Sequence, residues 1–217
     1  MTTLTRRGFL AGHTRAGRHP LLPARRNHGR CRRQQRRHPR GWSDLCPRQE
    51  WSGVALNGSG QYVDTGAALL YTNGNYSAAA WVKLNKADGS YQTVVSQDGD
   101  HDSAFFLQYS GQDQRFAMSF SGVRALSPTK PNPDQWYHLT GVRDVVKGEL
   151  KLYVDGQLVA TKAACSLDAT STGNTVIGRA KFGGNQVDHL DGTVDQVHVY
   201  DRALTDAEVR TLYESGR

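Results

Sequence analysis

Few acidic residues in this sequence stand where they could catalyse a reaction. Retaining glycoside hydrolysis needs two carboxyl groups about 5–5.5 Å apart, and the chain has only four glutamates, at positions 50, 149, 208 and 214. They fall in a basic N-terminal segment, at a predicted strand end and on a predicted helix, and none pairs with another along a strand. The aspartates fall mostly in turns, and no Gly-x-Ser-x-Gly, His-Glu-x-x-His or phosphate-loop motif occurs. We therefore predict that the chain is not an enzyme.

One run of aspartates has the spacing of a calcium loop. Asp98, Asp100 and Asp102 alternate with other residues, but an EF-hand needs Gly at the sixth position and Glu at the twelfth. Ser103 and Tyr109 stand at those places. We interpret the run as a solvated connection between two strands.

Asp195 is the second candidate for a metal ligand. It alternates with Val197 and Val199 in a predicted strand, so period-2 geometry would place it on an apolar face. A carboxylate in such a place must be hydrogen bonded, paired or bound to a metal. Backbone N–H groups of a neighbouring loop and a structural metal ion both remain open as its partner.

The cysteines give no sign of a metal or catalytic site. Cys31, Cys46 and Cys165 include no C-x-x-C pair, which argues against zinc. Cys165 lies in a Thr- and Ala-rich connection with no His nearby in sequence, so a nucleophilic role is not expected. A secreted protein could form one disulfide from three cysteines, but the spacing does not assign the pair.

A sugar-binding site would need aromatic rings exposed on a sheet face or loop, with polar side chains beside them. The aromatic candidates are Tyr91, Tyr109, Phe182 and His189, and the hydrogen-bonding candidates are Gln108 and Arg179. By contrast, Trp81 and Trp136 lie inside strand patterns, where core packing is expected.

Short runs of alternating or β-branched residues, separated by Gly, Asn, Asp and Pro, must position these side chains. The predicted strands are Tyr62–Thr65, Tyr76–Leu84, Tyr91–Ser96, Ala104–Tyr109, Arg115–Ser121, Trp136–Arg143, Glu149–Val154, Gln157–Ala163, Thr175–Arg179 and Thr193–Tyr200. Ten strands in one chain of this length predict an antiparallel sandwich of two sheets.

Two local signals are especially clear. Asp155-Gly156 separates two alternating runs and predicts a tight hairpin, because both residues tolerate positive φ. Thr205 and Glu208 have the spacing of a capping box and predict one short helix near the C-terminus.

The blocks ALNGSGQYVDTG, QWYHLTGVRD, LKLYVDGQLVAT and LDGTVDQVHVYDRALTDAEVRTLY follow one another in residues 51–217. Together they resemble the laminin-G-like jelly-roll domain of secreted bacterial proteins. The resemblance implies a concanavalin A-like sandwich, a structural calcium near Asp195, and an accessory role beside glycan-degrading enzymes or adhesins. The front departs from the pattern, because Arg32–Arg40 stand where relatives carry a first strand with an Asp-x-Ser-Gly-Asn segment.

The first 50 residues differ from the rest of the chain. They hold 13 Arg and no Lys against two acidic residues, whereas residues 51–217 hold 14 Lys and Arg against 18 Asp and Glu. The acidic body argues against nucleic-acid binding by the folded domain, and no apolar run reaches membrane-spanning length. We predict that residues 1–50 are disordered and that 51–217 form the domain.

Thr5–Leu10 resembles the start of a twin-arginine export signal, which predicts a secreted protein. No apolar stretch follows, so the signal is incomplete and export of this chain is in doubt. Three interpretations of the segment compete: a shift of reading frame after Leu10, a tail without a dedicated role, and an arm that binds polyanions.

These observations predict a monomeric, non-catalytic module that binds a polysaccharide or cell-surface glycan. The alternatives are a structural or adhesive protein-interaction domain and the remnant of a larger glycan-degrading enzyme.

Overall fold

The alternating runs form two antiparallel sheets in the computed structural model, which describes residues 2–4, 53–120, 122–165 and 170–217. The strands are β1 (Thr2–Leu4), β2 (Val54–Asn57), β3 (Val63–Asp64), β4 (Tyr76–Leu84), β5 (Gln92–Asp98), β6 (Ser103–Ser110), β7 (Arg115–Phe120), β8 (Val123–Leu126), β9 (Trp136–Asp144), β10 (Glu149–Val154), β11 (Gln157–Ala163), β12 (Thr175–Ile177), β13 (Ala180–Phe182), β14 (Asn185–Val187) and β15 (Asp191–Tyr200). One helix, α1 (Asp206–Ser215), follows them. The predicted all-β sandwich with a C-terminal helix is confirmed.

The strands divide into two large sheets and a small hairpin. Sheet A has the order β1-β15-β4-β9-β10-β11, with β2 also paired to β15, and sheet B has the order β3-β12-β5-β6-β7-β8. The strands β13 and β14 pair only with each other. The predicted disorder of residues 1–50 falls outside the described residues except at Thr2–Leu4, which pair with β15.

The core lies between the inner faces of the two sheets. Alternate residues of the central strands are completely or almost completely buried there, among them Tyr76, Ala78, Ala80, Val82 and Leu84 of β4 and Phe105, Leu107 and Tyr109 of β6. Each large apolar side chain buried in this way contributes about 1.5–3 kcal/mol to folding. Period-2 alternation therefore decides which residues remain on the outer faces.

The two clearest local signals hold in the structure. Asp155 and Gly156 both have positive φ, 51° and 75°, and join β10 to β11. Thr205 accepts the backbone N–H of Glu208, whose carboxylate accepts the Thr205 N–H at 2.9 Å, which completes the capping box. Both features depend on residues close together in sequence.

Helix α1 covers the outer face of sheet A. Tyr213 of the helix stacks on Trp81, with ring centroids 5.5 Å apart, and Trp81 also contacts His138 at 5.3 Å. His138 is only 1% exposed. Burial, followed by the charge of His198, lowers the pKa of His138 to about 4. Trp81 therefore packs, as predicted, although between sheet and helix.

The strand boundaries differ from the prediction near residue 178. The predicted strand Thr175–Arg179 is interrupted at Gly178, where φ is +90°, so that β12 and β13 are separate. The turn at Gly183-Gly184, with φ values of 58° and 79°, then returns the chain as β14. The strands β2 and β8 were also not predicted, because they are short and show little alternation.

Candidate functional site

A groove lies on the outer face of sheet B. Its floor is formed by Phe106 and Gln108 of β6 and by Ser119 of β7. Phe106 is the register partner of Ser119, and both alternate with core residues of their own strands. The strand pattern that fills the core therefore presents these side chains on the outer face.

The segment 178–190, which we name the covering segment, forms one wall. Its ends hydrogen bond to β5: Gly178 N–H donates to the Val94 carbonyl at 3.0 Å, and Thr93 N–H donates to the Asp188 carbonyl at 2.8 Å. Between these ends, the β13–β14 hairpin packs against β5 and β6. The hairpin presents Phe182, whose side chain is 62% exposed.

The groove has two adjoining parts. The first, about 360 Å³, reaches from Phe182 and Asp188 to Val123 and Arg124 of β8. The second, about 540 Å³, is lined at its other end by Asp100, Asp102, Thr170 and Ser171. Phe106, Gly122 and Phe182 line both parts. The volumes are those of sites for ligands of small-molecule size.

The polar floor of the groove is held in one arrangement. The buried Gln108 accepts a hydrogen bond from Thr93 Oγ1 at 3.3 Å and donates one to Ser119 Oγ at 3.4 Å. These contacts orient the amide while leaving part of its hydrogen-bonding capacity for a ligand.

Tyr91 and Arg124 form the far wall. The Arg124 guanidinium lies 5.8 Å from the centre of the Tyr91 ring, and its Nη1 donates to Asp113 Oδ2 at 2.7 Å. Tyr91 Oη donates to Gln112 Oε1 at 3.2 Å. Both side chains are therefore positioned by contacts outside the groove.

Asp188 is the other charged residue of this first part of the groove. It has a positive φ of 57° and is half-buried. Burial raises the pKa of its carboxyl group, with no other cause contributing. In the part of the chain that the structure describes, no donor bonds to this carboxylate. Sequence reasoning missed Asp188, Phe106 and Arg124 because no local pattern marks them.

Three of the six candidate ligand-binding residues meet in the groove: Tyr91, Gln108 and Phe182. Tyr109 does not, and its expected exposure is wrong. It points to the opposite face of β6, is completely buried, and donates its hydroxyl to the Asp88 carbonyl at 2.7 Å. The strand alternation that turns Gln108 toward the outer face of sheet B turns Tyr109 toward the core.

Arg179 and His189 lie within the covering segment rather than facing the groove. Arg179 is 3% exposed and pairs with both carboxylate oxygens of Asp98, at 2.7 and 2.8 Å, beneath the ring of Tyr62. Burial and the charge of Arg179 lower the pKa of His189. Arg179 ties the covering segment to Asp98 of β5, and neither Arg179 nor His189 lines the groove.

The aspartates of the D-x-D-x-D run do not converge on a point. Asp98 binds Arg179, whereas Asp102 Oδ1 accepts the N–H of Gly183 at 2.7 Å. The run joins β5 to β6, in agreement with its interpretation as a connection between strands.

Asp195 does not lie on the apolar face, which corrects the sequence interpretation. A β-bulge between Asp195 and His198, with Gln196 at a φ of +47°, places Asp195 opposite Trp81 on the outer face. Its Oδ1 accepts the Gln196 N–H at 2.8 Å. Val197 remains in the core, because the extra residue shifts the alternation.

Asp195 is not part of a cluster of metal-binding side chains among the described residues. Calcium needs 6–8 oxygen ligands, and no group of three or more His, Cys, Asp or Glu that could hold a metal occurs among residues 2–4, 53–120, 122–165 and 170–217. Structural calcium stays a prediction.

The cysteines and glutamates are the other side chains that the sequence analysis considered for catalysis or metal binding. Cys165 is exposed and free, while Cys31 and Cys46 lie outside them. Glu149 pairs with Lys151 at 3.0 Å and Glu208 with Arg202 at 2.8 Å, and no described glutamate lines the groove.

The helix of the described chain is too short to cross a membrane.

Two packed antiparallel sheets, with a groove on the outer face of one, define the chain as a β-sandwich. A laminin-G model, described as the concanavalin A-like lectin/glucanases superfamily, matches residues 57–210. Because this match covers most of the sequence, the chain belongs to that family. No curated protein matches it.

Solved structures support the same fold. Domain 4 of an extracellular GH43 arabinanase from Geobacillus stearothermophilus, in complex with arabinotriose, has a TM-score of 0.57 at 20% identity over 74% of this chain and 76% of that chain. A SAP-like pentraxin from Limulus polyphemus has a TM-score of 0.54 at 21% identity over 64% of this chain and 69% of that chain.

A sialidase from Trypanosoma rangeli, in complex with the inhibitor DANA, has a TM-score of 0.52 at 17% identity. The match covers 66% of this chain but only 23% of the sialidase. At these identities the likeness establishes the fold alone.

Proposed function

We propose that the domain binds a glycan chain in the groove on the outer face of sheet B, without cleaving it. The observation that carries the proposal is the exposed Phe182 ring, which lines both parts of the groove. A sugar ring presents an apolar face of C–H groups that can pack on an aromatic ring, while its hydroxyl groups reach polar neighbours.

The floor provides those polar neighbours. Gln108 and Ser119 line the same part of the groove as Phe182, as do Asp188 and Tyr91. Two adjoining parts, rather than a single closed pocket, suit a chain of several sugar units. The similarity to an arabinanase domain solved with arabinotriose supports this assignment.

The accessory, non-catalytic role rests on the carboxylates. Those that line the groove in the described chain are Asp100, Asp102 and Asp188. Asp102 is held by Gly183, and Asp188 lines the other part of the groove, which does not favour a pair flanking one glycosidic bond. We assign the domain to a secreted protein, where it would attach the protein to a polysaccharide.

Affinity electrophoresis of the full chain through gels containing neutral and acidic polysaccharides tests the proposal. Retardation by at least one polymer is expected. Phe182→Ala should weaken retardation about tenfold, which corresponds to about 1.4 kcal/mol. Val146→Ala is the matched control, because Val146 is an apolar side chain with 86% exposure that does not line the groove.

Two results would overturn the proposal. One is passage of the native chain through every gel without retardation. The other is equal retardation of Phe182→Ala and the native chain by each polymer that binds. Release of reducing ends from a retained polymer would instead contradict the non-catalytic part.

A further inference from the structure

Asp188 occupies a position that the backbone fixes before any ligand arrives. It lies between β14 and β15, with φ at +57° and its carbonyl bonded to Thr93 N–H. Two residues later, Leu190 N–H donates to the Gly178 carbonyl at 2.9 Å. A non-glycine residue at positive φ is uncommon and costs energy, although Asp tolerates it better than most. The surrounding hydrogen bonds hold Asp188 there.

The carboxylate of Asp188 is left without a donor in this position. It is half-buried and lines the first part of the groove, and within the described residues it forms neither a hydrogen bond nor an ion pair. A partly desolvated carboxylate gains substantially from a donated hydrogen bond. Sugar hydroxyl groups are donors of the right kind, whereas ligand carboxylate or sulfate groups only accept and carry the same charge.

The other charged side chains that line the groove do not balance the negative charge of the Asp188 carboxylate. Arg124 is the one cationic side chain that lines either part among the described residues, and Asp113 already neutralises it at 2.7 Å. Asp100 and Asp102 line the adjoining part. The nearby Lys181 donates to the Gly99 carbonyl at 3.1 Å and does not line the groove. The groove therefore carries an excess of negative charge.

From this geometry we infer that the groove selects neutral, hydroxyl-rich glycans over anionic ones, with Asp188 as the residue that determines this specificity. The inference rests on the proposed function, which it deepens by naming the ligand class. Asp188 accepts hydroxyl hydrogen bonds from a neutral chain and repels the carboxylate groups of a uronate-containing chain. The repulsion acts in a partly desolvated groove, where water screens it less than on an open surface.

The test uses two forms of one polymer. The neutral polysaccharide that retards the full chain most strongly is compared with the same polymer after TEMPO-mediated oxidation of its primary hydroxyl groups to carboxylates. We expect the native chain to bind the neutral form at least about tenfold more tightly, equal to 1.4 kcal/mol. This preference should shrink in 0.5 M NaCl, where charges are screened more strongly.

Asp188→Asn separates charge from shape, because Asn also tolerates positive φ. In this variant the preference for the neutral form should fall below about threefold, compared with at least about tenfold, or 1.4 kcal/mol, in the native chain. Asp134→Asn is the matched control, since Asp134 is an exposed aspartate with a φ of 60° that does not line the groove. It should keep the full preference of the native chain.

The outcomes distinguish this inference from the proposed function. Equal binding of both polymer forms by the native chain, or an unchanged preference in Asp188→Asn, overturns the role of Asp188 but leaves glycan binding intact. If only acidic polymers retard the native chain, the role of Asp188 is likewise overturned and glycan binding again stays intact. Absence of retardation by every polymer removes both.

Discussion

His138 should make the stability of the domain depend on pH. Replacing it with Phe keeps a ring against Trp81 and Tyr213 but removes the titratable group. Burial, then the charge of His198, lowers the His138 pKa from 6.5 to about 4. The unfolded chain therefore takes up a proton as the pH falls through 6.5, whereas the folded chain does so only near 4. His138 costs no stability above pH 6.5, and its destabilising effect grows until the pH reaches about 4.

The size of the effect follows from the difference in pKa. Each unit corresponds to 1.36 kcal/mol, so the full cost is about 3 kcal/mol, and about 2.5 kcal/mol of it is present at pH 4.5. Lowering the pH from 7.5 to 4.5 should thus reduce the free energy of unfolding of the native chain by about 2.5 kcal/mol more than that of His138→Phe.

Urea unfolding at both pH values, followed by tryptophan fluorescence, measures this difference. Other groups also titrate, because burial lowers the pKa of His198 and raises that of Asp155. They are present in both proteins, so the comparison measures the contribution of His138 together with its coupling to His198. The exposed His101, replaced by Phe, is the control and should behave as the native chain. An equal loss of stability in the native chain and in His138→Phe would refute the reasoning.

Three further substitutions test the contacts that hold the sandwich together. Arg179→Met leaves the carboxylate of Asp98 without its partner and should lower the free energy of unfolding, measured by urea denaturation, by about 3–5 kcal/mol. An effect below about 1 kcal/mol would mean that the pair is solvated like a surface salt bridge. Thr205→Ala removes the cap of α1 and should cost about 1 kcal/mol, whereas Thr205→Asp should restore most of it; equal unfolding of all three proteins would contradict the cap. Gly156→Ala forces a side chain into positive φ and should cost about 1–2 kcal/mol, seen as a lower melting temperature, and no decrease would show that the turn adapts.

Local signals made the hairpin and the helix predictable. Asp155-Gly156 specifies its own turn, because both residues adopt positive φ and directly join the paired strands β10 and β11. Thr205 and Glu208 are three residues apart and cap each other. In both cases the interacting groups are near neighbours in sequence, so their spacing contains the structural information.

The face on which a side chain lies was harder to predict. Alternation assigned Asp195 to the core, but one extra residue in the bulge, Gln196 at a φ of +47°, reverses the assignment. Tyr109 shows the related difficulty, because alternation groups residues into two faces without saying which face is inward. An aromatic residue in the correct strand was therefore assigned to the wrong side.

The groove itself could not be read from any one stretch of sequence. Gln108 and Phe182 face the same space only because the covering segment is bonded to β5 at both ends, through Gly178 and Asp188. The same arrangement buries polar side chains of β5 such as Ser96, whose hydroxyl donates to the Arg179 carbonyl at 2.9 Å. The cost of burying these groups is offset by the hydrogen bonds they form. Asp188 differs from Ser96, since its carbonyl accepts the Thr93 N–H while its half-buried carboxylate has no donor among the described residues, and that imbalance singles it out as a group that a ligand would complete.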